Sequence, residues 1–266
     1  MPEIFKIRPA EGPEVPILLS VPHCGTGFPE EVRDDFVAGH MNIPDDTDWF
    51  VDQLYDFAPA MGVTIISATV SRYVIDLNRN PEEKPLYADG RLLTGLCPTT
   101  TFLGEPLYRD QRAQVQPDEI RRRLKAYFVP YHQRVQAHLD ELRERHGRVL
   151  LWDCHSIRRH VPTIDKDPFP DLILGDADGT SASPGVIEAA LGVLDHSGYR
   201  TLHNTPFKGG FITRHFGLPA KRQHALQLEM TKVNYMDDAE QAYHPERAGK
   251  MRKVLREVFL KLIDQL

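Results

Sequence analysis

Short apolar runs bounded by turn residues alternate with longer amphipathic stretches along the chain. "PILLSVPH" (16–23) reads as a buried strand, and "DTDWFVDQLYDFAPAMG" (46–62) as a helix capped by Asp46 or Thr47 and closed by Gly62. Two strand-like runs follow, "VTIISATV" (63–70) and "RYVIDLN" (72–78). From there to about Gln116, Pro and Gly are frequent and periodicity is weak, the mark of a long loop region. The segment 117–147 predicts a long helix kinked at Pro130, with its "RRRLK" run on a solvated face balanced by Asp118, Glu119 and later acids. Strands are expected at 148–152 and 170–175, a helix at 183–195, and a strand at 199–204. A Gly-rich loop at 207–217 leads to a strand at 224–232, and a helix begins near His244. This alternation argues for an α/β fold, a mixed, mostly parallel central sheet flanked by helices, in one domain spanning 1–266.

The 266 residues are 41% hydrophobic and 26% charged, with a formal net charge of −6. That balance suits a globular chain and lacks the basic face that nucleic acid demands. Three cysteines, Cys24, Cys97 and Cys154, are too few and too scattered for a disulfide framework. No apolar run approaches a membrane span, and the first sixteen residues carry acids and prolines where a signal peptide needs an apolar core. The expectation is a soluble, cytoplasmic protein with neither nucleic-acid nor membrane partners; the oligomeric state is left open.

Polar chemistry collects where strands end, the place where open α/β sheets bind ligands. "SVPHCGTGFP" puts His23 just past one strand, and "RVLLWDCHSI" puts His155 past another, after the apolar run 149–152. "QLEM" sets Glu229 between apolar neighbours in a late strand, where an unpaired carboxylate is costly. Two histidines and a carboxylate can hold a zinc ion with a position open to water, lowering that water's pKa to about 7. A nearby carboxylate can then carry the proton. Asp153 could orient His155, and Cys24 and Cys154 read as small buried thiols. The run Arg72, Asp76, Asn78, Arg79 offers bidentate donors to an anion, or else an Asp–Arg pair at the surface. "FKGGFITRH" adds Lys208, Arg214 and two glycines that permit positive φ or close backbone approach to a ligand, and "SIRRH" adds Arg158 and Arg159.

As a set, "SVPHCGTGFP", "DTDWFVDQLY", "SRYVIDLNR", "KPLY", "DCHSI", "FKGGFITRHFG" and "LQLEM" occur in the order found in the N-formylglutamate amidohydrolase family, which the chain resembles from about Pro16 to Lys232. The family is similar in turn to zinc carboxypeptidases and aspartoacylases, so the resemblance implies a phosphorylase/peptidyl-hydrolase-like fold. It implies zinc on His23, His155 and an aspartate of "DDTDW", Asp48 ahead of Asp46, because Thr26 stands where carboxypeptidases have their glutamate ligand. It maps the catalytic base to Glu229 and a carboxylate clamp to Asn78 and Arg79, with Arg72 or Arg214 for a second carboxylate. The implied reaction is hydrolysis of N-formyl-L-glutamate, a small anionic acyl amino acid, in histidine degradation. Two alternatives stay open: a zinc amidohydrolase of aspartoacylase or carboxypeptidase type acting on another acyl amino acid, and a non-catalytic binder of acidic metabolites.

Overall fold

Seven strands form one sheet: β1 (Phe5–Arg8), β2 (Ile17–Val21), β3 (Thr64–Ala68), β4 (Val149–Ile157), β5 (Leu172–Gly175), β6 (Thr201–His203) and β7 (Gln223–Thr231). The computed structural model describes residues 3–43, 45–82, 94–112 and 114–266. The strand order is β1-β3-β2-β4-β7-β5-β6. The inner strands β3, β2, β4 and β7 run parallel; β1 and β5 pair antiparallel to their inner neighbours, and β6 is parallel to β5. This is the mixed, mostly parallel sheet expected from the sequence.

Strand side chains alternate between the two faces, and each face has its own core. On one, Leu19, Leu150, Trp152, Leu226 and Leu228 pack under α1 (Val51–Leu54), α4 (Pro184–Leu194) and α6 (Pro245–Gln265). On the other, Leu18, Val149, Leu151 and Ala225 pack under α3 (Val129–His146) and α5 (Phe211–Phe216). Each fully buried aliphatic side chain contributes about 1.5–3 kcal/mol, so both layers hold the central strands firmly. The one polar atom of Trp152 is satisfied: its Nε1 donates to Tyr55 Oη at 3.1 Å. The face under α3 turns polar toward the carboxyl ends of the parallel strands. There Asp153, His155, Gln227 and Glu229 occupy successive positions of that face on β4 and β7.

Several elements differ from the sequence reading. The expected helix at 46–62 reduces to α1 and a 3-10 turn at Pro59–Met61, closed by Gly62 at φ +80°. Neither Asp46 nor Thr47 caps α1; Phe50 stands before it at φ +61°. Asp46 instead accepts the Phe102 N–H (2.8 Å), and Asp48 faces two histidines. The run 72–78 is a string of turns, because its polar side chains compete for the backbone. Ser71 Oγ accepts the Tyr73 N–H, Asp76 Oδ1 accepts the Asn78 N–H (2.9 Å), and Arg72 closes onto Asp76 four residues on.

The long helix is interrupted: α2 (Pro117–Arg123) passes through a π turn at Leu124–Phe128 into α3. Pro130 lacks a donor and crowds the carbonyl four residues earlier, and the wider turn relieves this. Within "RRRLK", Arg123 departs from the solvated face and is fully buried, donating to Glu119, the Val74 carbonyl and Tyr108 Oη. The Gly-rich loop contains α5. Strand β1, not foreseen, edges the sheet. Strand β4 continues five residues past the apolar run, so His155 lies within the strand rather than beyond it.

Candidate active site

Five segments of the chain converge at the carboxyl ends of β2, β4 and β7. His23 follows β2 by two residues. Its carbonyl accepts the Asp48 N–H at 3.0 Å, which pins the loop carrying Asp48 against it. His155 comes from β4, and Glu229 lies directly beside it in register on β7. The turns at 72–79 supply Arg72, Asp76, Asn78 and Arg79.

His23, Asp48 and His155 are all buried, and one ligand atom from each lies within 4.8 Å of the others. His155 Nδ1 is 3.1 Å and His23 Nδ1 3.7 Å from Asp48 Oδ2. Asp46, the second candidate, is outside this group; its carboxyl holds Phe102. Behind each imidazole stands a second carboxylate. Asp76 Oδ1 is 2.7 Å from His23 Nε2, and Asp153 Oδ2 is 3.0 Å from His155 Nε2. A carboxylate only accepts, so each Nε2 carries a proton and each Nδ1 is turned inward as a potential ligand. His23 Nδ1 and Asp48 Oδ1 are buried acceptors without a hydrogen-bond partner. Acceptors left bare in a dry interior are costly, and a divalent cation at this point would satisfy them together. The donor set therefore fits one such ion.

The electrostatics agree. Burial and the charge of Arg72 keep the His23 pKa below its ordinary value despite Asp76, so it is neutral. Burial opposes the charge on His155, but Asp153 and Asp48 overcome it and raise the pKa well above the usual range. A cation here would take the place of the Nδ1 proton. Burial likewise opposes ionisation of Asp76, yet Arg79, His23 and Arg72 hold its carboxyl well below the carboxylate range. The pair of Arg72 with Asp76 (2.7 Å) is no surface contact: the two residues are 6% and 0% exposed.

Glu229 differs from these. It is part-exposed, and among the described residues its carboxyl has no hydrogen-bond or ion-pair partner. Burial, only partly offset by His155, pushes its pKa up to about 8. A carboxyl without a partner beside a cation site can exchange protons.

The other expected site residues fare unequally. The Asn78 side chain is saturated by the protein. Its Oδ1 accepts the Ile212 N–H (2.7 Å), and its Nδ2 donates to Asp153 (3.3 Å) and Gln227 (3.4 Å). It braces the site, in place of the contact with a ligand carboxylate expected of it. Of the two glycines, Gly209 adopts φ +105°, and Gly210 permits close approach, though to Asn78 rather than to a ligand. Arg79 donates to the Thr94 carbonyl (3.0 Å) and hydroxyl (3.2 Å) and lies 3.7 Å from Asp76. Arg72 also reaches the Asp46 carbonyl and stacks 4.7 Å over Phe102. Arg214 is exposed and holds the Gly209 carbonyl, apart from the histidines. "KPLY" (84–87), and with it part of the loop 80–116, lies outside the described residues. Cys154 points into the opposite core and Cys24 Sγ toward the Val21 and Ala68 carbonyls, so both read as buried thiols, whose pKa burial raises. Asp76 and Gln227 were not singled out as supporting residues. The signal was available in the two-residue spacing of Gln227 from Glu229, which puts both on one face of a strand.

A family model described as N-formylglutamate amidohydrolase matches residues 15–236. The chain belongs to the N-formylglutamate amidohydrolase family. It is 43% identical over 251 residues to the N-formylglutamate deformylase of Pseudomonas putida, covering 94% of this chain and 92% of that one. With the N-formylglutamate deformylase of Pseudomonas aeruginosa it shares 41% identity over 253 residues, covering 94% and 93%. The crystal structure of N-formylglutamate amidohydrolase from Ralstonia eutropha JMP134 superposes with a TM-score of 0.81 at 26% identity, over 98% of this chain and 97% of that one. A gene product from Agrobacterium tumefaciens shares the fold at a TM-score of 0.71 and 18% identity, over 97% and 95%. The match of the N-formylglutamate amidohydrolase family spans every residue of the cluster, from His23 to Glu229. No described helix is long and apolar enough to cross a membrane.

Proposed function

We propose that the protein hydrolyses the formamide bond of N-formyl-L-glutamate, releasing formate and L-glutamate. One observation carries the reading: in a chain of this family Glu229, whose carboxyl has no partner among the described residues, stands beside a buried His–Asp–His cluster in which His23 Nδ1 and Asp48 Oδ1 are bare acceptors. Relatives above 40% identity named as N-formylglutamate deformylases favour the formyl substrate over other acyl amino acids and over a non-catalytic binder.

His23, Asp48 and His155 would hold one divalent cation, zinc by ligand type, although other ions suit two histidines and a carboxylate. When bound, such an ion polarises the formyl carbonyl and acidifies water. The remaining work falls to the chain's own side chains. Asp76 and Asp153 keep both imidazoles in the tautomer that faces inward. Glu229 removes a proton from the attacking water as its oxygen adds to the formyl carbon. As the C–N bond breaks, Glu229 delivers that proton to the leaving nitrogen. Arg79 and Arg72, fixed around Asp76, supply the positive charge that draws one substrate carboxylate, while Asn78 holds β4, β7 and α5 in place behind them. A preorganised charge of this kind lowers barriers by several kcal/mol when solvent is excluded.

The test is metal analysis of the purified protein together with formate release from N-formylglutamate. One equivalent of divalent metal and turnover that vanishes on chelation and returns on reloading are expected. Metal-free protein with undiminished activity would refute the cation's part, and absence of formate release from the loaded protein would refute the reaction.

A further inference from the structure

The proposed substrate bears two carboxylates, and the arginines expected to meet them are already engaged within the protein. Arg72 is tied to Asp76, Arg79 to Thr94 and Asp76, and Arg214 to Gly209. Lys232 is placed differently. It follows β7 directly, is 2% exposed, and among the described residues its ammonium has one acceptor in reach, the Asp45 carbonyl at 3.0 Å. An ammonium offers three donors, and removing its charge from water with donors unmet is costly. Among the described residues no carboxylate lies within ion-pair distance of it. Lys232 and Arg158, which follows β4 directly, both line a narrow cleft of about 10 Å³, room for one water, with Asp45, Asp46, Phe102 and Ser156. The Arg158 guanidinium is paired with Asp45 and lies 3.9 Å from Glu240, and only its Nε is buried without a partner.

The sheet explains why these two cations come together. Strands β4 and β7 pair in parallel, with His155 beside Glu229 and Ile157 beside Thr231. Lys232 and Arg158 therefore leave the sheet side by side, about 10 Å farther along than the His155–Glu229 pair. The cleft is also joined to the catalytic cluster. Phe102 on its wall bonds Asp46 and lies under Arg72, and Asp48 is prominent among the charges acting on Lys232. A substrate whose formamide sits at Glu229 thus has cations ahead of it along the strand direction.

We propose that Lys232, with Arg158 beside it, receives the side-chain carboxylate of the acyl amino acid and so sets the requirement for an acidic substrate. This rests on the reading that the chain deformylates N-formylglutamate. The carboxylate supplies the acceptors that the buried ammonium and the Arg158 Nε lack, and the cost of leaving them bare becomes discrimination against a neutral side chain.

The experiment compares formate release from N-formylglutamate and from its neutral analogue N-formylglutamine by the metal-loaded wild type, Lys232→Met and Arg158→Gln. The wild type is expected to prefer N-formylglutamate. Lys232→Met should raise KM for it by about thirtyfold or more, with a smaller loss on N-formylglutamine, so that the preference collapses. Arg158→Gln, on a less buried residue, should move the preference the same way by a smaller factor. Melting temperature and metal content are recorded for each. Equal losses on both substrates, or a preference kept by either folded variant, overturn the assignment. Should Lys232→Met not fold, Arg158→Gln decides by the same criterion. A wild type that hydrolyses both substrates equally overturns this proposal while the deformylase reading stands, and one that hydrolyses neither overturns both.

Discussion

Glu229 occupies an uncomfortable position for a carboxylate, and its discomfort has a measurable sign. Burial raises its pKa from 4.5 to about 8. In the unfolded chain it ionises near the ordinary value, so between the two values the folded protein alone keeps the proton. Stability linked to this group is therefore full below about 4.5 and is lost as pH rises toward 8. A glutamine carries no such penalty. In protein stripped of metal, Glu229→Gln should gain stability over the wild type progressively from pH 5 to pH 8, read as urea unfolding midpoints at each pH. In loaded protein it should lose turnover by orders of magnitude while binding metal normally. Equal midpoints at every pH would show that the carboxyl is not desolvated, and undiminished turnover would remove it from proton transfer. A cation at His23, Asp48 and His155 acts in the opposite direction, drawing the Glu229 pKa down toward the range of a working base.

At the scale of elements, the site depends on a few backbone junctions more than on any long helix. Strands β4 and β7 carry Asp153, His155, Gln227 and Glu229 on one face, and the turns at 72–78 reach across to brace Asp153 and Gln227 through Asn78 and to hold His23 through Asp76. The segment leading into α5 closes this brace. Gly210 donates its N–H to Gln227 Oε1 (2.8 Å), and a Cβ at position 210 would come 2.4 Å from the Asn78 amide. Gly210→Ala should displace Asn78 and with it Asp153 and His155, at a cost of about 1–3 kcal/mol. The expected readings are a lower melting temperature and weaker metal retention on dialysis. A variant that melts and retains metal like the wild type would mean that Asn78 is not structurally required where it stands.

For the whole molecule, the sheet brings His155 to His23 and Asp48 from more than a hundred residues away, so a bound ion would tie its core strands to the loop that bears Asp48. Such an ion binds the native state and not the unfolded chain. At a hundredfold excess over Kd it adds about 2.7 kcal/mol. At this chain length each kcal/mol moves the melting temperature by about 2–4 °C. Chelation should lower the melting temperature accordingly, and readdition of zinc should restore it. No shift in either direction would mean that the cluster holds no ion in solution.

The inner strands were legible because their apolar runs are continuous, as strands covered on both faces must be. His23 and His155 drew attention by their places at the ends of apolar runs, and Glu229 as a carboxylate set between apolar neighbours. The fate of the turns at 72–78 was not, since "RYVIDLN" has strand-like composition and only the ion pair of Arg72 with Asp76 shows where its backbone goes. Nor was the end of β4: polar residues after Trp152 suggest that a strand stops, unless the neighbouring strand carries partners for them. The order of strands, the choice of Asp48 over Asp46 and the conversion of Asn78 from expected clamp to brace all depend on which segments lie side by side. Sequence by itself determined the residue types and the local periods, because those follow from side-chain chemistry and backbone sterics. Only the tertiary structure decided which imidazole faces which carboxylate, because hydrogen bonding and burial act through distances that the chain order does not contain.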